Sequence, residues 1–394
     1  MNTSLLRPLF VTGSLTHGGA ERHSVTLMNR LAERGHDCHG VYLRDESSQI
    51  DLVRLPDGGS IFCPDVRRYL DLAALARLAR HLRRLQPDVL IAANQHAMLY
   101  AALARWQSGI RAPLIVTFHS TSLLNIKEHL KMLLERRFFA RADCLVYVCE
   151  AQRRHWQARH LMARDSRVIV NGVDTAHFAL PAFKAPGAAL RQQYGLAAED
   201  FVVGISAVLR PEKNHLLLVE AIAALRRQGL PARALMIGDG EMRPAVEARA
   251  RSLNIADAII ITGLCADVRP ALAASDVVTL CSTTEALSLA ALEAMAMSRP
   301  VVHSDVGGAR EIIEPWLEGF IFESGNGEQL ARRLAQLADP KLARLMGNKA
   351  RETVESRFSE HRMVDHYEQL LREFHAHGLA RREQLNPDLT VQKE

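Results

Sequence analysis

The sequence predicts an α/β protein of two doubly wound domains, each a parallel sheet with helices on both faces. Three observations carry this. The chain of 394 residues is too long for one ordinary core and suits two domains of about 180 residues each. Short apolar runs alternate with amphipathic helical stretches, as in a parallel sheet buried on both faces. Around Asn171-Gly-Val-Asp174 the alternation breaks; Pro181, Pro186 and Gly187 follow, and a second run of the same kind begins. These breakers predict an interdomain linker at about residues 172–195.

In the first half the expected strands are Pro8–Thr12, His39–Leu43, Ile61–Cys63, Val89–Ala93, Leu114–Phe118 and Cys144–Val148. Helices lie between them. Asp71–Leu85 puts Leu75, Leu78, Leu82 and Leu85 on one stripe and Arg77, Arg80 and Arg84 on another. The second half offers Phe201–Ala207, Ala234–Ile237, Ala258–Thr262, Val277–Cys281, Val301–Ser304 and Phe320–Phe322. Helices after about Gln329 close the chain, and residues beyond about Asn386 read as a frayed tail.

Composition narrows the class. Hydrophobic residues make up 48% of the chain, as in a soluble globular protein. No apolar run approaches the length of about 20 residues that a membrane span needs, and the N-terminus lacks a signal-peptide pattern. Six cysteines are scattered without Cys-x-x-Cys pairs, so we expect reduced thiols in a cytoplasmic protein and no zinc site. Charge is uneven: residues 1–190 carry 25 Lys and Arg against 16 Asp and Glu, and residues 191–394 carry 24 against 28. A basic first half points to an anionic partner, either a membrane surface or a phosphate-bearing acceptor. Nucleic acid is disfavoured, since aromatics are only 5% and no zinc-finger or RNP-like motif is present.

The chemistry concentrates after the strand Val277–Cys281. A polar turn carrying Glu285 leads into a short helix from about Leu289 to Met297, with Ser288 placed as its N-cap. The amides of Leu287, Ser288 and Leu289 therefore form an anion site at the carboxyl end of a strand, where open α/β sheets bind ligands. Glu293 lies about one turn inside that helix on an Ala/Leu/Met surface, a costly place for a carboxylate unless something binds it. After the strand Phe201–Ala207, Arg210-Pro-Glu-Lys213 brings two cations suited to neutralising a diphosphate.

Other motifs are weaker alone. Gly13-Ser-Leu-Thr-His17-Gly18-Gly19-Ala-Glu-Arg22 follows the first strand, and its glycines let amides approach an anion; His17 sits within it. His119 ends the strand Leu114–Phe118 at the ligand edge of the sheet, where an imidazole can hydrogen-bond a ligand hydroxyl or relay a proton. His96 follows another strand, Val89–Ala93. Gly238-Asp-Gly240 is a near miss for a dinucleotide fingerprint, because Arg243 stands where the third glycine would. Glu128, Lys131, Arg136, Arg137 and Arg141, interleaved with Leu130, Leu133, Leu134, Phe138 and Phe139, form a basic helical stretch suited to an anionic membrane surface.

Glu285-x7-Glu293, followed by Pro300-Val-Val-His-Ser-Asp-Val-Gly-Gly308 and Glu311, resembles the signature of retaining nucleotide-sugar glycosyltransferases of family four. Gly-Gly-Ala-Glu-Arg and the Arg-x-x-Lys spacing are similar to that family too. The resemblance is strongest from about Ser206 to Phe322. It implies the GT-B fold: two Rossmann-like domains facing each other across a cleft, here 1–180 and 195–357, with the terminal helix at about 358–385 returning to the first.

The resemblance also implies sugar transfer from a nucleotide-sugar to an acceptor hydroxyl with retained configuration, without a metal or other cofactor. Gly18 and Gly19 would face the donor diphosphate beside Arg210 and Lys213. Gly238 would turn beside the nucleotide and Gly263 would hold the base by its backbone. Glu293 would bind the ribose, Glu285 the donor sugar, and His119 would lie beside the reacting sugar, with His96 and His17 as candidates for the acceptor side. One departure matters: family members often read Glu-Gly-Phe-Gly where this chain has Glu285-Ala-Leu-Ser288, which puts donor preference in question. A UDP-sugar is expected on family frequency, with GDP-mannose or an inert sugar-binding homologue as alternatives. A saccharide or lipid-linked acceptor, in polysaccharide or lipopolysaccharide synthesis, suits the basic first half.

Overall fold

The computed structural model describes residues 5–16, 18–56, 58–119, 132 and 135–385, with backbone alone beyond residue 378. The chain divides into two compact units, Met1–Val170 with Met363–Glu394, and Asn171–Arg362. The expected tail beyond Asn386, His17, and Glu128, Leu130, Lys131, Leu133 and Leu134 of the basic stretch lie outside the described residues.

The first unit holds a seven-stranded parallel sheet. Its strands are β1 (Pro8–Thr12), β2 (His39–Tyr42), β3 (Ile61–Phe62), β4 (Val89–Ala93), β5 (Leu114–Phe118), β6 (Cys144–Tyr147) and β7 (Ser166–Val168), in the order β3-β2-β1-β4-β5-β6-β7. Both faces are buried, and the period of two sorts the side chains. Leu9, Val11, Leu90, Ala92, Leu114 and Val116 pack against the helices Leu72–Leu85 and Asn94–Ser108. Phe10, Val89, Ile91, Ile115, Cys144 and Val146 pack instead against Leu27, Met28 and Leu31 of the helix Gly19–Glu33. The terminal helix Glu360–Leu385 covers the same face with Met363, Val364, Tyr367 and Leu371.

The second unit repeats the plan with six parallel strands. They are β8 (Phe201–Ser206), β9 (Ala232–Ile237), β10 (Ile259–Ile261), β11 (Val277–Leu280), β12 (Val301–Ser304) and β13 (Gly319–Phe322), in the order β10-β9-β8-β11-β12-β13. In each sheet the order reverses once, between β1 and β4 and between β8 and β11. Loops leaving the two strands at such a point diverge to opposite faces and open a crevice at their carboxyl ends.

Two expectations are corrected. The span expected as a linker carries a helix, Leu180–Gln193, despite Pro186 inside it. Tertiary contact overrides the breakers: Gly187 lies against Ala273, and Arg191 donates to the Ala274 carbonyl at 2.8 Å while pairing with Asp276 at 2.7 Å. The strand β7 was not expected, because Ser166-Arg-Val is short, partly exposed and lacks an apolar run.

Candidate active site

In the second unit the switch-point strands deliver the acidic and cationic motifs to one place. From β8 the chain passes Arg210 and a 3₁₀ turn, Pro211–Lys213; from β11 it passes Ser282 to Glu285. The Lys213 ammonium pairs directly with Glu285 Oε1. Ser282, itself 2% exposed, donates its hydroxyl to the same oxygen at 2.8 Å. Behind it the Ser304 hydroxyl, at the end of β12, donates to the Ser282 carbonyl at 2.6 Å. The Thr283 amide donates to the Glu212 carbonyl at 2.8 Å, stitching the two loops together. Gly307 closes the back of the turn: its φ is +55°, and a Cβ there would overlap the Glu285 carbonyl. His303 is buried beside this group, and burial lowers its pKa despite the hydrogen bond to the Ser304 carbonyl at 2.7 Å.

The helix after the turn runs Leu289–Ala296, and the Ser288 hydroxyl accepts from the Ala291 amide at 3.3 Å. Leu287 is buried, its carbonyl accepting from Asn171 Nδ2 at 3.2 Å, so the loop ahead of the helix is held from both sides. Glu293 is 6% exposed within this helix. Arg210 is exposed and pairs with no described residue, so the structure brings Lys213 to Glu285 but leaves Arg210 outside that contact. Gly238 and Gly263, after β9 and β10, bridge each other antiparallel. At φ +147°, Gly238 lies so close to the Ala207 carbonyl that any Cβ would overlap it, which draws the loops after β8 and β9 together.

In the first unit, Gly18 is the extended N-cap of Gly19–Glu33, and the loop from β1 through Gly13 to Gly19 opens onto that helix. His119 follows β5 directly. Its amide donates to Asn94 Oδ1 at 2.9 Å, tying the end of β5 to the end of β4. Burial pushes the His119 imidazole down to about 4, so the ring is neutral at pH 7. His96 lies apart from it in contact terms: its Nε2 meets the Tyr69 carbonyl at 3.1 Å, and its ring stacks on Tyr69 with centroids 5.2 Å apart. The Tyr69 hydroxyl in turn donates to Glu135, a carboxylate only 5% exposed.

Sequence reasoning missed three side chains that this geometry singles out. Ser282 carries no signal of its own in sequence, being one hydroxyl in the polar turn before Glu285. Tyr69 left no signal, being one aromatic in an irregular segment. His23 did leave one: it stands four residues after Gly19, on the helix face that turns inward.

Comparison with known proteins agrees with both halves. Residues 17–177 match the family described as Glycosyltransferase Family 4, and residues 188–353 match Glycosyl transferases group 1. N-acetyl-alpha-D-glucosaminyl L-malate synthase of Bacillus anthracis is 26% identical over 371 residues, 89% of this chain and 93% of that protein. Lipopolysaccharide core biosynthesis glycosyltransferase LpsE of Rhizobium meliloti is 28% identical, covering 90% and 96%. A match to EpsD of Bacillus subtilis, 31% identical, takes in 59% of this chain and 61% of the length of EpsD. Among solved structures, Anabaena HepE in complex with UDP-glucose superposes with a TM-score of 0.79 at 23% identity, covering 93% of this chain and 98% of that one. Sucrose-phosphate synthase of Thermosynechococcus elongatus gives 0.77 at 19% identity, covering 94% and 99%. With two parallel Rossmann-like sheets, these neighbours and both family matches, the chain belongs to the family-four glycosyltransferases of GT-B fold.

Proposed function

We propose that the protein is a retaining glycosyltransferase that moves a sugar from a UDP-sugar to an acceptor hydroxyl in the synthesis of a cell-surface polysaccharide or lipopolysaccharide. The observation that carries this is the Lys213–Glu285 pair at the switch point of the second sheet, next to a Ser-capped helix start. As the glycosidic bond of the donor breaks, the leaving nucleoside diphosphate gains negative charge and the sugar becomes oxocarbenium-like. Fixed positive groups aimed at the diphosphate therefore stabilise the transition state more than the ground state. Arg210, Lys213, the Gly18-Gly19 amides and the Leu287 to Leu289 amides are assigned that work, so no metal or other cofactor is required. Glu285 is assigned to the donor-sugar hydroxyls and Glu293 to the ribose. A neutral His119 gives or takes a hydrogen bond at the reacting sugar without adding charge.

The relatives support the substrate class: HepE was solved with UDP-glucose, and LpsE is named for lipopolysaccharide core synthesis. The basic surplus of residues 1–190 supports a lipid-linked or phosphate-bearing acceptor at an anionic membrane surface on the cytoplasmic side. No described helix is long and apolar enough to cross a membrane. The test is thermal-shift screening with UDP, GDP, ADP and dTDP, followed by hydrolysis of the matching sugars. A ligand at one hundred times its Kd adds about 2.7 kcal/mol of stability, so UDP is expected to give the largest rise. A larger rise with GDP selects GDP-mannose instead, and UDP-sugar binding without turnover selects a non-catalytic homologue.

A further inference from the structure

Two side chains of the first unit that neither the motifs nor the proposed chemistry uses, His23 and Tyr367, form a buried group with His119. His23, on the helix Gly19–Glu33, is 5% exposed, and neither ring nitrogen has a hydrogen-bond partner among the described residues. Its ring packs against His119, centroids 4.7 Å apart and planes at 59°, and edge-on against Tyr367 of the terminal helix at 5.4 Å. The Tyr367 hydroxyl and His119 Nε2 are likewise buried without a described partner.

Such an arrangement is poor for stability. Buried polar atoms without partners are costly, and leucine or phenylalanine would fill the same volume at no such cost. Where a chain departs from local rules in this way, the position commonly serves a site. What His23 touches is the imidazole at the carboxyl edge of β5. The contact also reinforces neutrality: burial lowers the His23 pKa first, and the neighbouring His119 lowers it further. Two rings in such contact and burial do not both carry charge.

We infer that His23 is a positioning residue for His119, its ring forming the wall that sets where the His119 imidazole stands, with Tyr367 backing that wall from the terminal helix. This rests on the reading of His119 as the residue beside the reacting sugar. A displaced imidazole loses the alignment that turnover depends on, while binding of the nucleotide, held by other residues, is untouched.

The test uses the full-length protein, with UDP release from UDP-glucose, UDP-galactose and UDP-N-acetylglucosamine as the probe reaction. Variants are His23→Ala, His23→Phe, His119→Ala and the double variant His23→Ala/His119→Ala. Melting temperature and UDP affinity are measured for each. The expected result is a loss of about tenfold in kcat for His23→Ala, with UDP affinity unchanged within about twofold. His23→Phe, which keeps a ring in place, recovers most of that loss. In the His119→Ala background, removing His23 has no further effect, because there is nothing left to position. If His23→Ala does not fold, His23→Leu takes its place with the same expectations. The inference is overturned if the two losses multiply, or if kcat survives in His23→Ala while His119→Ala is impaired. Should His119→Ala itself turn over like the wild type, it is the assignment of His119 that fails, and this one with it.

Discussion

Lys213 and Glu285, 72 positions apart in sequence, meet as an ion pair at the carboxyl ends of the neighbouring strands β8 and β11. The pair is partly sheltered, with side chains 27% and 14% exposed. Each group therefore holds the other in place before any donor arrives. Removing either leaves its partner half-desolvated without a counter-charge, at a cost of about 1–3 kcal/mol. We expect Glu285→Ala and Lys213→Ala each to lower kcat/KM at least about tenfold. A double-mutant cycle should show the two losses to be strongly non-additive. Wild-type turnover in both single variants would remove the assigned roles.

Ser282 fixes the rotamer of Glu285 through the bond to Oε1, leaving the other carboxylate oxygen without a described partner. Hydrogen bonds to a charged group contribute about 1.5–3 kcal/mol. Ser282→Ala should therefore reduce kcat/KM by roughly an order of magnitude, while Ser282→Thr, which keeps the hydroxyl, recovers part of it. Steady-state kinetics on the two variants decides the point; equal losses in both would assign the effect to packing rather than to the hydroxyl.

Much of this was legible from sequence, and for identifiable reasons. Val89–Ala93, Leu114–Phe118 and Val301–Ser304 are continuous apolar runs of strand length, and each is a strand with those bounds. The Ser288 cap could be read because a hydroxyl just before an apolar helical run has one common use. The Lys213–Glu285 contact was not legible as a contact: sequence placed both groups at carboxyl ends of strands, but only strand order makes β8 and β11 neighbours. The helix Leu180–Gln193 was missed because Pro and Gly punctuate a chain locally, whereas its packing on the helix Arg269–Ala274 is tertiary. His23 and Tyr367 are more than three hundred residues apart, and nothing local to either announces the other.

Gly307 tests how tightly the Glu285 turn is built. Its left-handed φ of +55° and the overlap between an added Cβ and the Glu285 and Ala286 carbonyls leave no room for a side chain. Gly307→Ala must shift the turn or strain its own backbone, at about 1–3 kcal/mol. We expect a lower melting temperature together with a weakened response to UDP. An unchanged thermal shift with UDP would mean that the turn can move without affecting the nucleotide.

The basic first unit presents a surface where membrane docking can be tested. Trp106 is 84% exposed, and its neighbour Arg105 donates to the Arg141 carbonyl at 3.3 Å, which places Arg141 close by. Arg111, Arg137 and Arg141 are exposed. An exposed indole and exposed cations on the same unit suit the interface of an anionic bilayer. Sedimentation with vesicles containing anionic lipid should show binding that weakens with salt, and each Arg→Ala change should reduce it about fivefold, from roughly 1 kcal/mol per charge. Binding that ignores lipid charge, or survives Trp106→Ala with Arg111→Ala and Arg141→Ala, would exclude this face.

The terminal helix is anchored by Glu368, and that anchor makes stability depend on acid. Burial alone would raise the Glu368 pKa, but hydrogen bonds from Arg372, Arg34 and His36 outweigh it and hold the carboxyl at about 2, against an ordinary 4.5. The distances are 2.7 Å to Arg34, 2.7 Å to Arg372 and 3.3 Å to His36, with Glu368 20% exposed. A carboxylate whose pKa is depressed on folding contributes stability above its unfolded pKa and loses it as pH falls toward the folded value. The contribution here is on the order of 3 kcal/mol at neutral pH, present above about pH 4.5 and gone near pH 2. Glu368→Gln should therefore lower the urea midpoint at neutral pH and lose that deficit progressively below pH 4.5. Tryptophan fluorescence follows the unfolding. A deficit that persisted unchanged down to about pH 2 would mean that Glu368 acts through shape rather than charge.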